Sequence, residues 1–163
     1  MIGTKFYKPV ETQERLDTYS QAAEWCNENN ATIEDKGEYY EVVEIPPPSL
    51  EEVKTIKISE LKGVRDTKEV EPIQTDKGIF DYDDKSRDRL AIARQALTDN
   101  GGGEIVWTTA DNQRVSMTIA DFAAINGAAA VRSNALHVKY NELKESVKEA
   151  KTAEEVNAIQ WTD

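Results

Sequence analysis

The chain has 163 residues, 39% of them hydrophobic and 31% charged, with a formal net charge of −11. That length suits one medium domain or two small ones, and that charge repels phosphate backbones and anionic membranes, which argues against both as partners. One cysteine, Cys26, and one histidine, His137, leave no intramolecular disulfide, no cysteine-based metal site, no Ser-His-Asp or Cys-His arrangement and no multi-histidine zinc site.

The opening residues, MIGTKFYKPVETQE, lack the basic start and apolar stretch of a signal peptide. No run reaches the ~18 apolar residues of a membrane-spanning helix, so a reducing cytoplasm is the expected compartment. Lys5 to Val10 is a short strand candidate. Thr18 to Asn29 is predicted as a helix capped near Asp17 or Thr18, its apolar side formed by Tyr19, Ala22, Ala23, Trp25 and Cys26. Ala31 to Asp35 and Tyr39 to Ile45, enriched in aromatic and β-branched residues around Lys36-Gly37, predict a hairpin. Strand, helix and hairpin make a small α+β unit at 1–45.

Pro46-Pro47-Pro48 favours an extended, semi-rigid segment without backbone donors. The domain boundary belongs there, and a second α+β domain is expected at 49–163. Ser49-Leu50-Glu51-Glu52 is a capping box opening a helix that runs to about Arg65. Ile56 and Ile58 leave some strand character within it. Ile73 to Asp76 and Gly78 to Tyr82 predict short paired strands. A helix follows over Ser86 to Thr98, presenting Leu90, Ala93 and Leu97, until Asn100-Gly101-Gly102-Gly103 stops it.

Residues 105–117 read as a second hairpin. Ile105, Trp107 and Thr109 alternate with Val106 and Thr108 before the Asp111-Asn112 turn, and Val115 and Met117 share a face beyond it. An isolated two-stranded hairpin is marginal in water, so a helix must cover that face. Thr118, with Asp121 at the box position, caps the long helix predicted over 119–150. Along it Ile119, Phe122, Asn126, Ala129, Ser133, Leu136, Tyr140, Leu143, Val147 and Ala150 recur at alternating spacings of three and four, a coiled-coil-like seam of roughly 48 Å if straight. Its centre is small or polar and its ends are large. A short helix over 152–159 and Trp161 close the chain.

Candidate chemistry is sparse. Asp81 to Asp88 resembles a calcium loop only superficially, because the sixth and twelfth places, Gly and Glu in an EF-hand, are Ser86 and Ile92. It reads instead as a turn capping the next helix. The glycine run at 101–103 lacks a following Lys-Ser/Thr and precedes a strand, so it is no phosphate cradle. His137 reads as a packed or rim residue beside the seam, and Cys26 as buried and inert. No catalytic, cofactor or metal residue is expected. Trp107, Ile119 and Phe122 are expected structural anchors where hairpin meets helix.

The seam admits two readings. It packs on the 86–98 helix and the 105–117 hairpin, or it is an interface with a partner or a second copy. Its length exceeds what the 86–98 helix can cover, so Tyr140, Leu143 and Val147 are expected to contact another protein chain. The competing possibility is that the 152–159 helix and Trp161 fold back over them.

Phe80-Asp81 with its acidic turn, Ser86 and Leu90, Val106-Trp107-Thr108-Thr109-Ala110-Asp111-Asn112, Val115 to Thr118, the long helix, and Ala150-Lys151-Thr152-Ala153-Glu154-Glu155 to Ile159 form one ordered series over about residues 60–161. The series resembles a C-terminal domain of unknown function common in bacteriophage and prophage proteins, often encoded near tail-fibre genes. Trp25 to Asn29 and Tyr39 to Val42 are similar to the leader regions of such proteins. The resemblance implies a non-enzymatic tail-fibre assembly factor that binds fibre polypeptide, or alternatively a structural virion component of the tail. Its implied partner is a tail-fibre or other tail protein, with homo-oligomerisation open, in the bacterial host cytoplasm or the virion tail. It transfers no catalytic residues.

Overall fold

A computed structural model describes residues 1–10 and 12–162. The chain divides into two compact units, at the proline run: Met1–Pro48 and Ser49–Asp163. Both mix helix with small antiparallel sheets, and the fold class is α+β.

In the first unit, β1 (Lys5–Tyr7), α1 (Gln13–Glu28), β2 (Ala31–Asp35) and β3 (Tyr39–Glu44) follow in order. The sheet order is β1-β3-β2, all antiparallel, with Phe6 opposite Tyr40 and Ile33 opposite Val42. Helix α1 starts five residues before the expected Thr18 and is capped by Thr12, whose side chain accepts from Arg15 N at 3.4 Å. Gln13, Glu14, Arg15 and Asp17 make its start polar, and the one apolar residue there, Leu16, stays exposed. Phe6, Ala22, Cys26, Ala31 and Val42 form the core. Tyr19 sits edge-on to both Phe6 and Tyr40, with each pair of centroids 5.4 Å apart. Lys8 reaches Asp35 at 2.7 Å across the Tyr40 ring, tying the two outer strands together.

The second unit contains α2 (Leu50–Glu69), the hairpin β4 (Ile73–Thr75) and β5 (Gly78–Phe80), α3 (Asp84–Asp99), the hairpin β6 (Ile105–Thr108) and β7 (Arg114–Met117), α4 (Ile119–Glu149) and α5 (Ala153–Ala158). Helix α2 runs four residues past Arg65, and Ile56 and Ile58 are helical within it. The β6-β7 register pairs Ile105 with Met117 and Trp107 with Val115, which puts those four on one face. Its turn is closed by the buried Thr109, whose hydroxyl bonds Asp111 and accepts from Gln113 N at 2.9 Å. Ala110 N donates to Ile79 O at 2.8 Å, so the two hairpins touch end to end. A Cβ on Gly78, at φ 135°, would lie 3.1 Å from the Thr109 methyl, so this junction requires glycine. Gly101, Gly102 and Gly103 all take positive φ in the turn after α3.

Two cores share this unit. One gathers Ile73, Phe80, Leu90, Leu97, Met117, Phe122 and Ile125, with Trp107 and Ile119 packed against it. The other gathers Leu61, Tyr140, Val147 and Val156, with Leu143 and Trp161 alongside. Helix α4 contributes its first half to one and its second half to the other.

Capping carboxylates open all three long helices of this unit. Ser49 N donates to Glu52 at 2.7 Å, Ser86 N to Asp83 at 2.7 Å, and Thr118 N to Asp121 at 2.8 Å. Hydrogen bonds from the Ser49 side chain and backbone hold the Glu52 carboxyl below its ordinary 4.5, and those from Ser86 and Thr118 hold Asp83 and Asp121 below 3.8. A folded value below the unfolded one means that the ionised form favours folding. The contribution is complete above the unfolded value and is lost as pH falls through the folded one. Melting temperature is therefore expected to hold steady from neutral pH to about pH 5 and to fall below about pH 4. Asp121→Asn should lower it by a few degrees at pH 7 and converge on the parent in acid. An unchanged gap between the two proteins across the titration would show that Asp121 is not ionised in the cap.

Candidate functional site

Helix α4 organises the second unit, and its inner and outer sides have different surroundings. Its inner side carries most of the seam. Phe122 is fully buried and meets Trp107 edge-to-face at 5.4 Å, so the Trp107, Ile119 and Phe122 cluster sits where hairpin, α3 and α4 converge. Ile125, one position beside the seam, is also fully buried.

Further along, α2 lies antiparallel to α4. Lys54 near the start of α2 donates to Lys148 O near the end of α4 at 2.9 Å. Arg132 of α4 donates to Glu69 O at 2.6 Å, Glu71 O at 2.7 Å and Pro72 O at 3.2 Å, at the end of α2. Each helix thus supplies a cation to the other's C-terminal carbonyls, where the helix dipole favours positive charge. Between these ends Ser133 Oγ donates to Glu69 Oε1 at 2.8 Å, and His137 Nε2 lies 3.0 Å from the same oxygen. The seam is polar at Ser133 because a carboxylate faces it. Arg132 Nε is buried without a partner among the described residues.

This pairing corrects the expected partner surface. Tyr140, Leu143 and Val147 are not an open stripe: they pack with Leu61 of α2, Val156 of α5 and Trp161. Tyr140 is 8% and Val147 0% exposed. Thr152 caps α5 through Glu155 N, and Lys139 bonds Thr162 O while lying 5.4 Å from the Trp161 ring. The C-terminal segment therefore folds back over α2 and α4. Helix α2 was the missing element, because spacing within α4 measures the width of its apolar face without naming what covers it.

The outer side is different. Ala124, Gly127, Val131, Asn134, Val138 and Asn141 form a second run at spacings of three and four, flanked by Ala120, Ala128 and Ala135. Val131 is 73% and Val138 50% exposed. Between Asp121 and Lys139 the one permanently charged side chain is Arg132, which turns inward to α2. Nothing lies within 4 Å of where a Gly127 Cβ would stand. Over residues 122–138 small and apolar side chains occur on every side of α4, whereas residues 139–149 carry six charged ones. The run was visible in the sequence, overshadowed by the longer seam with its larger side chains.

The remaining candidates are structural. Asp83 caps α3, Cys26 is buried in the first unit's core, and His137 pairs with Glu69 at the rim. Among the described residues no group of three or more His, Cys, Asp or Glu side chains is placed to hold a metal ion, and no helix is long and apolar enough to cross a membrane.

Tyr140→Glu and Val147→Glu test the corrected assignment. Each forces an unpaired carboxylate into the α2–α4–α5 core, and each should cost several kcal/mol, on the scale of burying an unpaired charge. Melting curves read this directly. A variant as stable as the parent would return that stripe to the surface.

No curated protein and no solved structure matches the chain. The sequence profile described as a domain of unknown function (DUF4376) matches residues 52–160, which is more than half of the chain and nearly all of the second unit. The chain belongs to the DUF4376 family through its second unit.

Proposed function

We propose that the protein is a non-enzymatic bacteriophage tail-fibre assembly factor that holds a fibre polypeptide during tail assembly in the host cytoplasm. The observation that carries this reading is the uncovered outer side of α4. A chain with net charge −11 keeps one long face nearly free of charge, built from alanine, glycine, valine and asparagine. Small side chains let another backbone approach closely, and exposed valines at 131 and 138 supply apolar area at its middle. The residue series from Phe80 to Ile159, with its resemblance to tail-associated phage domains, supports a tail-fibre polypeptide as the partner. A structural tail component would use the same face.

Val131→Glu combined with Val138→Glu is the test. Both side chains face solvent, so stability should change by no more than about 0.5 kcal/mol per site. Capture of co-expressed tail-fibre polypeptide should fall at least about tenfold, as for loss of central interface residues. Full capture by a folded double variant contradicts the proposal. Protein content of purified particles separates the roles: absence from the particle fits an assembly factor, and stoichiometric copy number fits a structural component.

A further inference from the structure

Helices α3 and α4 leave a groove of about 360 Å³ on the flank of their contact. Ala91, Arg94, Gln95 and Thr98 form its α3 wall, and Asn126 is its α4 residue. Leu90, Ala93 and Leu97 of α3 are buried with Phe122, Ile125 and Ala129 of α4, so the residues one step round each helix meet at the rim. The neighbours of Asn126 one turn before and after, Ala123 and Ala130, are exposed alanines. Both walls are low, and another main chain can approach closely.

Among the described residues that line the groove, Arg94 alone carries a charge. It is exposed, and its guanidinium makes no hydrogen bond, ion pair or ring contact with any described residue. Other arginines of α3 and α4 are engaged: Arg87 pairs with Asp84, Arg89 acts on the capping carboxylate of Asp83, and Arg132 bonds carbonyls at the end of α2. The cause lies in the sequence. Positions three and four on either side of Arg94 hold Leu90, Ala91, Leu97 and Thr98, so α3 offers it no carboxylate at the spacing of a helical ion pair. Asp99, the nearest carboxylate along α3, accepts instead from Gln95 Nε2 at 2.7 Å. The Asn126 side-chain amide also makes no hydrogen bond with a described residue.

We infer that this groove receives an aspartate or glutamate side chain of a partner polypeptide, its carboxylate held by the Arg94 guanidinium and the Asn126 amide. Arginine presents paired donors in a planar fork that matches a carboxylate, and the amide supplies a further donor. The charge balance names the same occupant. With a net charge of −11 the chain repels an acidic segment over most of its surface. That long-range field is screened beyond roughly 8 Å at physiological ionic strength, and within that distance the groove presents one cation and no lining carboxylate. A second copy fits less well, because the whole of its large negative charge would have to approach as well. Arg94 and Asn126 are distinct from Val131 and Val138, and the site does not require the partner to be a tail fibre.

The test selects displayed short random peptides on the immobilised full-length chain, with Arg94→Gln as counter-selection. Arg94 is exposed and unpaired among the described residues, so this variant should melt with the parent. Enriched peptides should carry Asp or Glu, and their C-terminally amidated synthetic forms should bind the parent at least about tenfold better than Arg94→Gln. Exchanging the acidic residue of the peptide for its amide should cost the same factor on the parent and nothing further on Arg94→Gln, because both changes remove one interaction. The side-chain amide resonances of Asn126 should shift when the acidic peptide binds. Absence of enrichment overturns the inference, as do enriched peptides that lack an acidic residue or bind the two proteins equally. Binding that needs a free C-terminal carboxylate also overturns it. Self-association of the parent that Arg94→Gln abolishes overturns it in favour of a second copy.

Discussion

The second unit depends on the antiparallel pairing of α2 with the C-terminal half of α4. Lys54 and Arg132 fasten its two ends, each placing a cation on the other helix's terminal carbonyls, and Arg65 stacks 4.9 Å from the Tyr140 ring between them. Exposed ion pairs contribute little by themselves. These cations act differently, because they occupy carbonyls that a helix end would otherwise leave without partners. Leu61, Tyr140 and Val147 then bury the apolar strip between, and α5 closes over it. Remove that pairing and half of α4 loses its cover.

The same pairing explains how α4 serves two cores. A single helix of about 46 Å cannot be covered by one neighbour of ordinary length. Its first half therefore packs under α3 and the β6-β7 hairpin, and its second half under α2 and α5. The Glu69–Ser133–His137 cluster marks the changeover. Both cores approach α4 from the inner side, and the Ala124 to Asn141 run is left outside both. That run therefore owes its exposure to the architecture: the second unit supplies cover for one side only.

Much of this architecture was legible from local chemistry. Ser49 with Glu52 and Thr118 with Asp121 mark helix starts because reciprocal capping needs those residue types at that spacing. Trp107 and Val115 share a face because strand side chains repeat every second residue. Thr12 was harder to read, since the start of α1 is polar apart from the exposed Leu16. Ile125 lies off the regular seam, yet it is buried because α3 and β7 wrap more than one stripe of α4. The coverage of Tyr140, Leu143 and Val147 depended on a helix some eighty residues earlier in the chain, and such long-range pairing leaves no mark in the periodicity of either partner.

The central claim is that α4 is covered on its inner side along its whole length and open on its outer side. Cysteine substitution along this helix, read by thiol labelling of the folded protein, measures both sides at once. The native Cys26 is buried and supplies the background. Cysteines at Val131 and Val138 should label at nearly the rate of a free thiol, and those at Ile125 and Val147, both fully buried, should label only as the protein unfolds. Equal labelling at Val147 and Val131 would contradict the account, because it would mean that α2 and α5 do not cover the second half of α4.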